Sequence, residues 1–189
     1  MKYLNYFSGK KIVICGGGGF FGSHIINHLQ QVKCEILVPR TKDGIDFRKR
    51  EDCFSYLSIT KPDLVINSAA DQGGIGYHEG KQADLFMDNL LMGVYLMRAS
   101  QQTGVKKFVN IVAGCSYPGY LESGEMNEED YWKGWVHDSI FSYGFARKAS
   151  TVYGLALKRQ YNFSSIHLVM ANMYGPGEHF DPQQSKALA

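Results

Sequence analysis

The sequence predicts an α/β fold, a parallel sheet covered by helices on both faces. Three observations carry this. Short apolar runs alternate with longer segments of helical periodicity along the whole chain. The first apolar run, over 11–15, leads directly into Gly16-Gly17-Gly18-Gly19 and then into a helical pattern. Hydrophobic residues make up 44% and charged residues 20% of the 189 residues, the balance of an ordinary globular chain with one sizeable core.

The elements follow in order. A strand is expected over 11–15, then a helix over 20–32 with Phe21, Ile25, Ile26 and Leu29 on one face. A second strand over 35–38 precedes a helix over 48–57. The break Lys61-Pro62-Asp63 introduces a third strand over 64–67. A long helix over 84–103 stops near Gly104. A fourth strand spans 107–112, a second long helix 143–161 and a fifth strand 165–170. The connection 118–142 is long for a compact domain, which marks it as functional or as holding short structure of its own. Its acidic start (Glu122, Glu125, Glu128, Glu129, Asp130) reads as solvated, and its aromatic end (Trp132, Trp135, Phe141) as packed.

The long helix 84–103 carries Leu85, Phe86, Leu90, Leu91, Met92, Val94, Tyr95, Leu96 and Met97 around more than one face. One side meets the sheet. The other is covered either by the same chain or by a second copy, which predicts a two-fold homodimer.

Charge excludes little and suggests nothing exotic. Lys and Arg total 20 against 18 Asp and Glu, a net charge of +2, which gives no reason to expect nucleic acid or an anionic membrane as partner. No apolar run approaches the roughly 20 residues that span a bilayer. Cys15, Cys34, Cys53 and Cys115 show no paired spacing, so they read as reduced thiols of a cytoplasmic protein, with no metal site.

Glycines at 16, 19 and 22 suit a strand, a tight turn and a helix that admit a phosphate against the backbone. The bland alternative is a glycine-rich turn; the position after the first strand favours a dinucleotide site. The second strand ends at Arg40, with Lys42 nearby and no acid in that place. A guanidinium suits a 2′-phosphate, so NADP(H) is expected, with NAD(H) as the alternative. Asp46 reads either as an adenine neighbour or as a loop acid. Asn67-Ser68-Ala69-Ala70 supplies small residues for close approach of a cofactor, and Gly73-Gly74 a pocket wall or a flexible loop.

With Tyr143 a resemblance emerges. The glycine motif, Pro39-Arg40-Thr41-Lys42-Asp43, Asn67 through Ile75, Asp88-Asn89-Leu90, Cys115-Ser116-Tyr117-Pro118, Tyr143 and Asn172-Met173-Tyr174-Gly175-Pro176 resemble, in order and spacing, the extended short-chain dehydrogenase/reductases of the nucleotide-sugar epimerase/dehydratase type. Within that group the GDP-L-fucose synthases are most similar. The resemblance implies a Rossmann-type doubly wound sheet over 1–174 and the start of a substrate domain over 175–189, most of that domain being absent. It implies NADP(H)-dependent epimerisation and reduction of a 4-keto-6-deoxy-hexose nucleotide. The alternatives are 3,5-epimerisation without net reduction and a non-catalytic dinucleotide-binding subunit. Cofactor contacts are implied for Gly16, Gly19, Phe20, Phe21, Gly22, Arg40, Asn67, Ala69, Ala70, Tyr143 and Arg147. Tyr143 becomes the proton donor at the C4 oxygen, and Cys115 with Lys186 an acid/base pair at the sugar carbons; His179 is a further polar candidate. Taken without the resemblance, Cys115 is a small core residue and Lys186 a surface lysine. Two positions depart from the family pattern. Arg147 stands where the family has lysine, with Lys148 one residue out of register. Ala113 stands where it has a serine, and Ser116 is expected to face away.

Overall fold

Five strands form one all-parallel sheet in the computed structural model, which describes residues 4–120 and 125–178. In chain order they are β1 (Lys11–Cys15), β2 (Glu35–Leu37), β3 (Leu64–Asn67), β4 (Lys107–Ala113) and β5 (Ser165–Met170). Their order across the sheet is β2-β1-β3-β4-β5, with Ile12 beside Leu64, Val65 beside Phe108 and Asn110 beside His167. The connections are helices: α1 (Phe20–Leu29), α2 (Arg50–Thr60), α3 (Ile75–His78), α4 (Gln82–Gln102) and α5 (Phe141–Tyr161). This is a Rossmann-like α/β fold.

The central strands are apolar at successive positions because both their faces are covered. Ile12, Ile14, Leu64 and Ile66 meet Ile25, Ile26 and Leu29 of α1. Val13, Cys15 and Val65 turn to the other face, against Cys53 and Leu57 of α2 and Leu96 and Met97 of α4. β4 alternates: Phe108, Asn110 and Val112 are buried and their neighbours only half-buried. At the edge, β5 leaves Ile166 and Leu168 44% and 42% exposed.

A buried polar row crosses the sheet beneath α5. The Asn67 amide donates to Asn110 Oδ1 at 3.0 Å, and Asn110 Nδ2 approaches Ser150 Oγ at 3.1 Å and His167 Nδ1 at 3.4 Å. Burial pushes the His167 imidazole down to about 4, so it stays neutral.

The strands over 11–15, 64–67 and 165–170 lie as expected. Helix 20–32 is shorter, closing at Leu29. No glycine or proline marks that stop; a turn with Val32 N–H bonded to Leu29 C=O steers the chain back to the sheet. The helix expected over 48–57 runs instead from Arg50 to Thr60, because Asp46 and Arg48 are held in a bonded turn ahead of it. α3 was not anticipated, since one helical turn has no readable period. The connection 118–142 does hold structure; its described residues include 3₁₀ turns at Glu128–Trp132 and Asp138–Ile140. Its aromatic end packs only in part: Trp132 meets the Tyr131 ring and Trp135 the rings of Phe141 and Phe145, yet the two tryptophans stay 48% and 61% exposed while Tyr131 and Val136 are buried. Glu125, Glu128 and Glu129 are exposed; Glu122 lies outside the described residues. Cys15, Cys34, Cys53 and Cys115 are free thiols. Among the described residues no helix is long and apolar enough to cross a membrane.

Candidate functional site

The chain runs from β1 outward to β2, then returns across to β3. The gap left at the carboxyl ends of β1 and β3 is where ligands of open α/β sheets bind. Here it is a cleft of about 920 Å³, lined by the glycine turn, the end of β2, the loop after β3, the end of β4 and the start of α5.

At its inner end two glycines admit no side chain. Gly16 has a φ of +77°, and a Cβ there would lie 2.6 Å from the Ala69 nitrogen. A Cβ on Gly22 would run into the Gly16 carbonyl, so α1 seats against the turn only with glycine at that position. α1 starts at Phe20 with no side-chain cap, which leaves first-turn N–H groups for an anion. The Arg40 guanidinium lies over this turn, its Cζ 3.5 Å from where a Gly18 Cβ would be. A closed backbone cradle, free amides and an adjacent guanidinium fit the pyrophosphate and 2′-phosphate of NADP(H).

At the outer end α5 brings Tyr143 and Arg147 onto one face, one turn apart. Both are buried, and the guanidinium carbon lies 5.3 Å from the phenol ring centroid. Arg147 Nη2 donates to Ala69 C=O at 2.7 Å, while its Nε and Nη1 have no partner among the described residues. Cys115 sits in the 3₁₀ turn Gly114–Ser116 beside them. Burial pushes its thiol up to about 11, with the Arg147 charge opposing the shift. Ala113 lines the cleft without a hydroxyl, and Ser116 is buried outside it. Lys148 does not substitute for the missing lysine: its ammonium lies over the rings of Tyr131 and Phe145, at 5.1 and 5.9 Å, away from the cleft.

Gly16, Gly19, Phe20, Phe21, Gly22, Arg40, Ala69, Ala70, Cys115, Tyr143 and Arg147 thus line one cleft. Asn67 does not, contrary to expectation. It is fully buried at the end of β3, bonded to Asn110 and accepting from the Ala69 N–H at 3.3 Å, so it holds the loop after β3 from beneath. Lys186 and His179 lie outside the described residues. Asp46 lines the cleft and is bound by Arg48, which also reaches Asp88 at 3.0 Å; that pairing holds the Asp46 carboxyl below its usual range.

Sequence reasoning assigned no role to two residues, although Asn89 stood in the Asp88-Asn89-Leu90 motif. Asn89, fully buried on α4, accepts from the Asp71 N–H at 3.1 Å and donates to the Asp71 and Leu85 carbonyls, both at 2.8 Å, clamping the loop after β3. His78, at the end of α3, packs edge-on to Tyr143 with ring centroids 5.9 Å apart. An asparagine within an apolar helix was a readable signal for the first; nothing in the pattern marked the second.

A model of the NAD dependent epimerase/dehydratase family matches residues 12–189. The chain belongs to that family. Relatives within it include a protein of Sinorhizobium fredii named GDP-L-fucose synthase, 31% identical over 177 residues, which are 94% of this chain and 56% of that protein. A GDP-L-colitose synthase of Yersinia pseudotuberculosis is 26% identical over 176 residues, 93% of this chain and 56% of the relative. Among solved structures, a GDP-D-glycero-L-gluco-heptose synthase of Campylobacter jejuni, crystallised in the presence of NADPH, superposes with a TM-score of 0.88 at 25% identity, over 95% of this chain and 52% of that one. The chain therefore spans little more than half the length of these family members.

Proposed function

We propose that the protein is an NADP(H)-dependent nucleotide-sugar epimerase/reductase, acting on a 4-keto-6-deoxy-hexose nucleotide in the manner of the GDP-L-fucose synthases. The observation that carries this is the meeting of Tyr143, Arg147 and Cys115 in a cleft whose far end holds Arg40 over the glycine turn. Names of relatives, a GDP-L-fucose synthase and a GDP-heptose synthase, support the substrate class.

Gly16, Gly22 and the α1 amides would hold the pyrophosphate, Arg40 the 2′-phosphate, and Arg147 with Ala69 and Ala70 the region nearest the chemistry. NADPH, when bound, supplies a hydride for a C4 ketone. Tyr143 supplies the proton to that oxygen. Arg147 is a permanent cation beside it and stabilises negative charge developing there; being unable to lose a proton, it cannot relay one. Cys115, held protonated by its surroundings, suits the acid that returns a proton to a ring carbon, which leaves Lys186 as the base. Residues 175–189 would begin the unit that reads the sugar.

A second reading is 3,5-epimerisation without net reduction. Arg147 and Ala113 favour it, since they remove the lysine relay and the serine hydroxyl while leaving Cys115 and an oxyanion-stabilising charge in place.

The experiment separates the steps. With GDP-4-keto-6-deoxymannose and NADPH, Tyr143→Phe abolishes NADPH oxidation and leaves solvent deuterium entry at the ring carbons largely intact. Cys115→Ser slows deuterium entry with NADPH binding kept. Exchange without NADPH oxidation in the wild type selects the epimerase reading. Neither exchange nor oxidation selects a non-catalytic dinucleotide-binding subunit.

A further inference from the structure

Tyr143 has neighbours on two sides. Arg147 is one; the other is His78, only 3% exposed. Three buried nitrogens here have no hydrogen-bond partner among the described residues: Arg147 Nε, Arg147 Nη1 and His78 Nδ1. Both residues line the cleft. A buried polar nitrogen left unpaired carries its full desolvation penalty, whereas a phenyl ring would fill the place of the imidazole at no such cost. The position is also held firmly. The loop leading to it is clamped at Asp71 by Asn89, and the Tyr77 hydroxyl donates to Asp71 Oδ1 at 2.8 Å.

We propose that His78 is a substrate-contact residue, its Nδ1 forming a hydrogen bond with a ring hydroxyl of the sugar bound beside Tyr143. This rests on the nucleotide-sugar reading above and adds to it a residue that selects among sugars. A hydroxyl suits the site because it both gives and accepts a hydrogen bond. Burial lowers the imidazole pKa, opposed in part by the Gly73 backbone and Asp71, so the ring meets the sugar neutral. The Arg147 fork takes only acceptors and would hold a different part of the ligand.

The test compares wild type, His78→Phe and His78→Gln with GDP-4-keto-6-deoxymannose and its 2-deoxy and 3-deoxy analogues. The wild type is expected to prefer the full substrate over one analogue by about tenfold or more in kcat/KM. His78→Phe raises KM by about tenfold, changes kcat less, and loses the preference, while NADPH affinity stays within about twofold. His78→Gln, which keeps hydrogen-bonding capacity, recovers part of it. In the wild type, the His78 ring nitrogen resonance shifts when the sugar nucleotide is added. An unchanged KM in His78→Phe, discrimination retained against both analogues, or an unmoved nitrogen resonance at saturation overturns the proposal. If His78→Phe fails to bind NADPH, the Gln variant and the resonance decide. A wild type that binds the sugar nucleotide without converting it overturns the catalytic reading alone, and the same comparison is then made in Kd. A wild type that does not bind it overturns both.

Discussion

Cofactor choice turns on Arg40, whose guanidinium lies over the glycine turn at the end of the cleft. Titration of NADPH and NADH is expected to show tighter binding of NADPH, and Arg40→Ala to reduce that preference by about tenfold or more through loss of the bidentate phosphate contact. Equal affinities in the wild type would remove the basis for NADP(H). Cys115 gives a second readout. With its thiol pushed up to about 11, it carries far less thiolate than an ordinary cysteine. At about pH 8 it should alkylate with iodoacetamide at least about tenfold more slowly than a small free thiol. Arg147→Gln slows it further, since the guanidinium is the charge opposing the shift. At this scale the sequence singled out the three spaced glycines, Arg40 and Tyr143, and the structure brings them to one cleft. The sequence was misleading at Asn67, whose side chain turns into the sheet rather than the cleft, and silent at His78, which matters only because a fold brings it against Tyr143.

Among the elements, α4 does more than cover the sheet. Through Asn89 it fixes the loop that carries Ala69 and Ala70. Asn89→Ala removes partners from the Asp71 amide and carbonyl in a buried place. A loss of about 2–3 kcal/mol in chemical denaturation is expected, together with weaker NADPH binding. Asn89→Ala with wild-type stability would show that the clamp is dispensable. β5 contributes a pH dependence through His167. Its folded-state pKa of about 4 lies below the unfolded value near 6.5, so the unfolded chain binds the extra proton first as pH falls. The contribution is therefore fully present above about pH 6.5 and lost progressively toward about pH 4, by up to about 3 kcal/mol. His167→Gln should flatten that part of the stability profile; an unchanged slope would assign it elsewhere. Strand positions were legible here because apolar runs between turn residues announce them. Helix ends were less so, because Leu29 and Arg50 are set by local hydrogen bonds rather than by glycine, proline or a cap.

At the scale of the whole molecule, α4 and α5 leave apolar surface uncovered. Leu90, Leu91 and Val94 remain half-buried and Met87, Val152 and Leu155 exposed, more apolar area than two solvent-facing helices need. A two-fold dimer through these helices is the expected state, and light scattering showing a monomer at micromolar concentration would refute it. The parallel sheet followed from the alternation of strands and helices, and a ligand cleft at the carboxyl ends of its strands followed from the sheet; the order β2-β1-β3-β4-β5 came from the structure. The exposure of Trp132 and Trp135 did not follow from the sequence, because composition does not say which aromatic of a loop wins the buried position. The polar row beneath α5 has one more consequence. Asn67 is paired with Asn110, and Asn110 with His167, at adjacent positions of three neighbouring strands. Apolar strands could slide past one another by a residue with little penalty. A slip of β5 here would set Ile166 or Leu168 opposite Asn110 and turn His167 to the other face. The row acts as a key with three teeth, so that strands made almost wholly of interchangeable apolar residues lock into a single alignment, and the carboxyl ends that form the cleft finish level with one another.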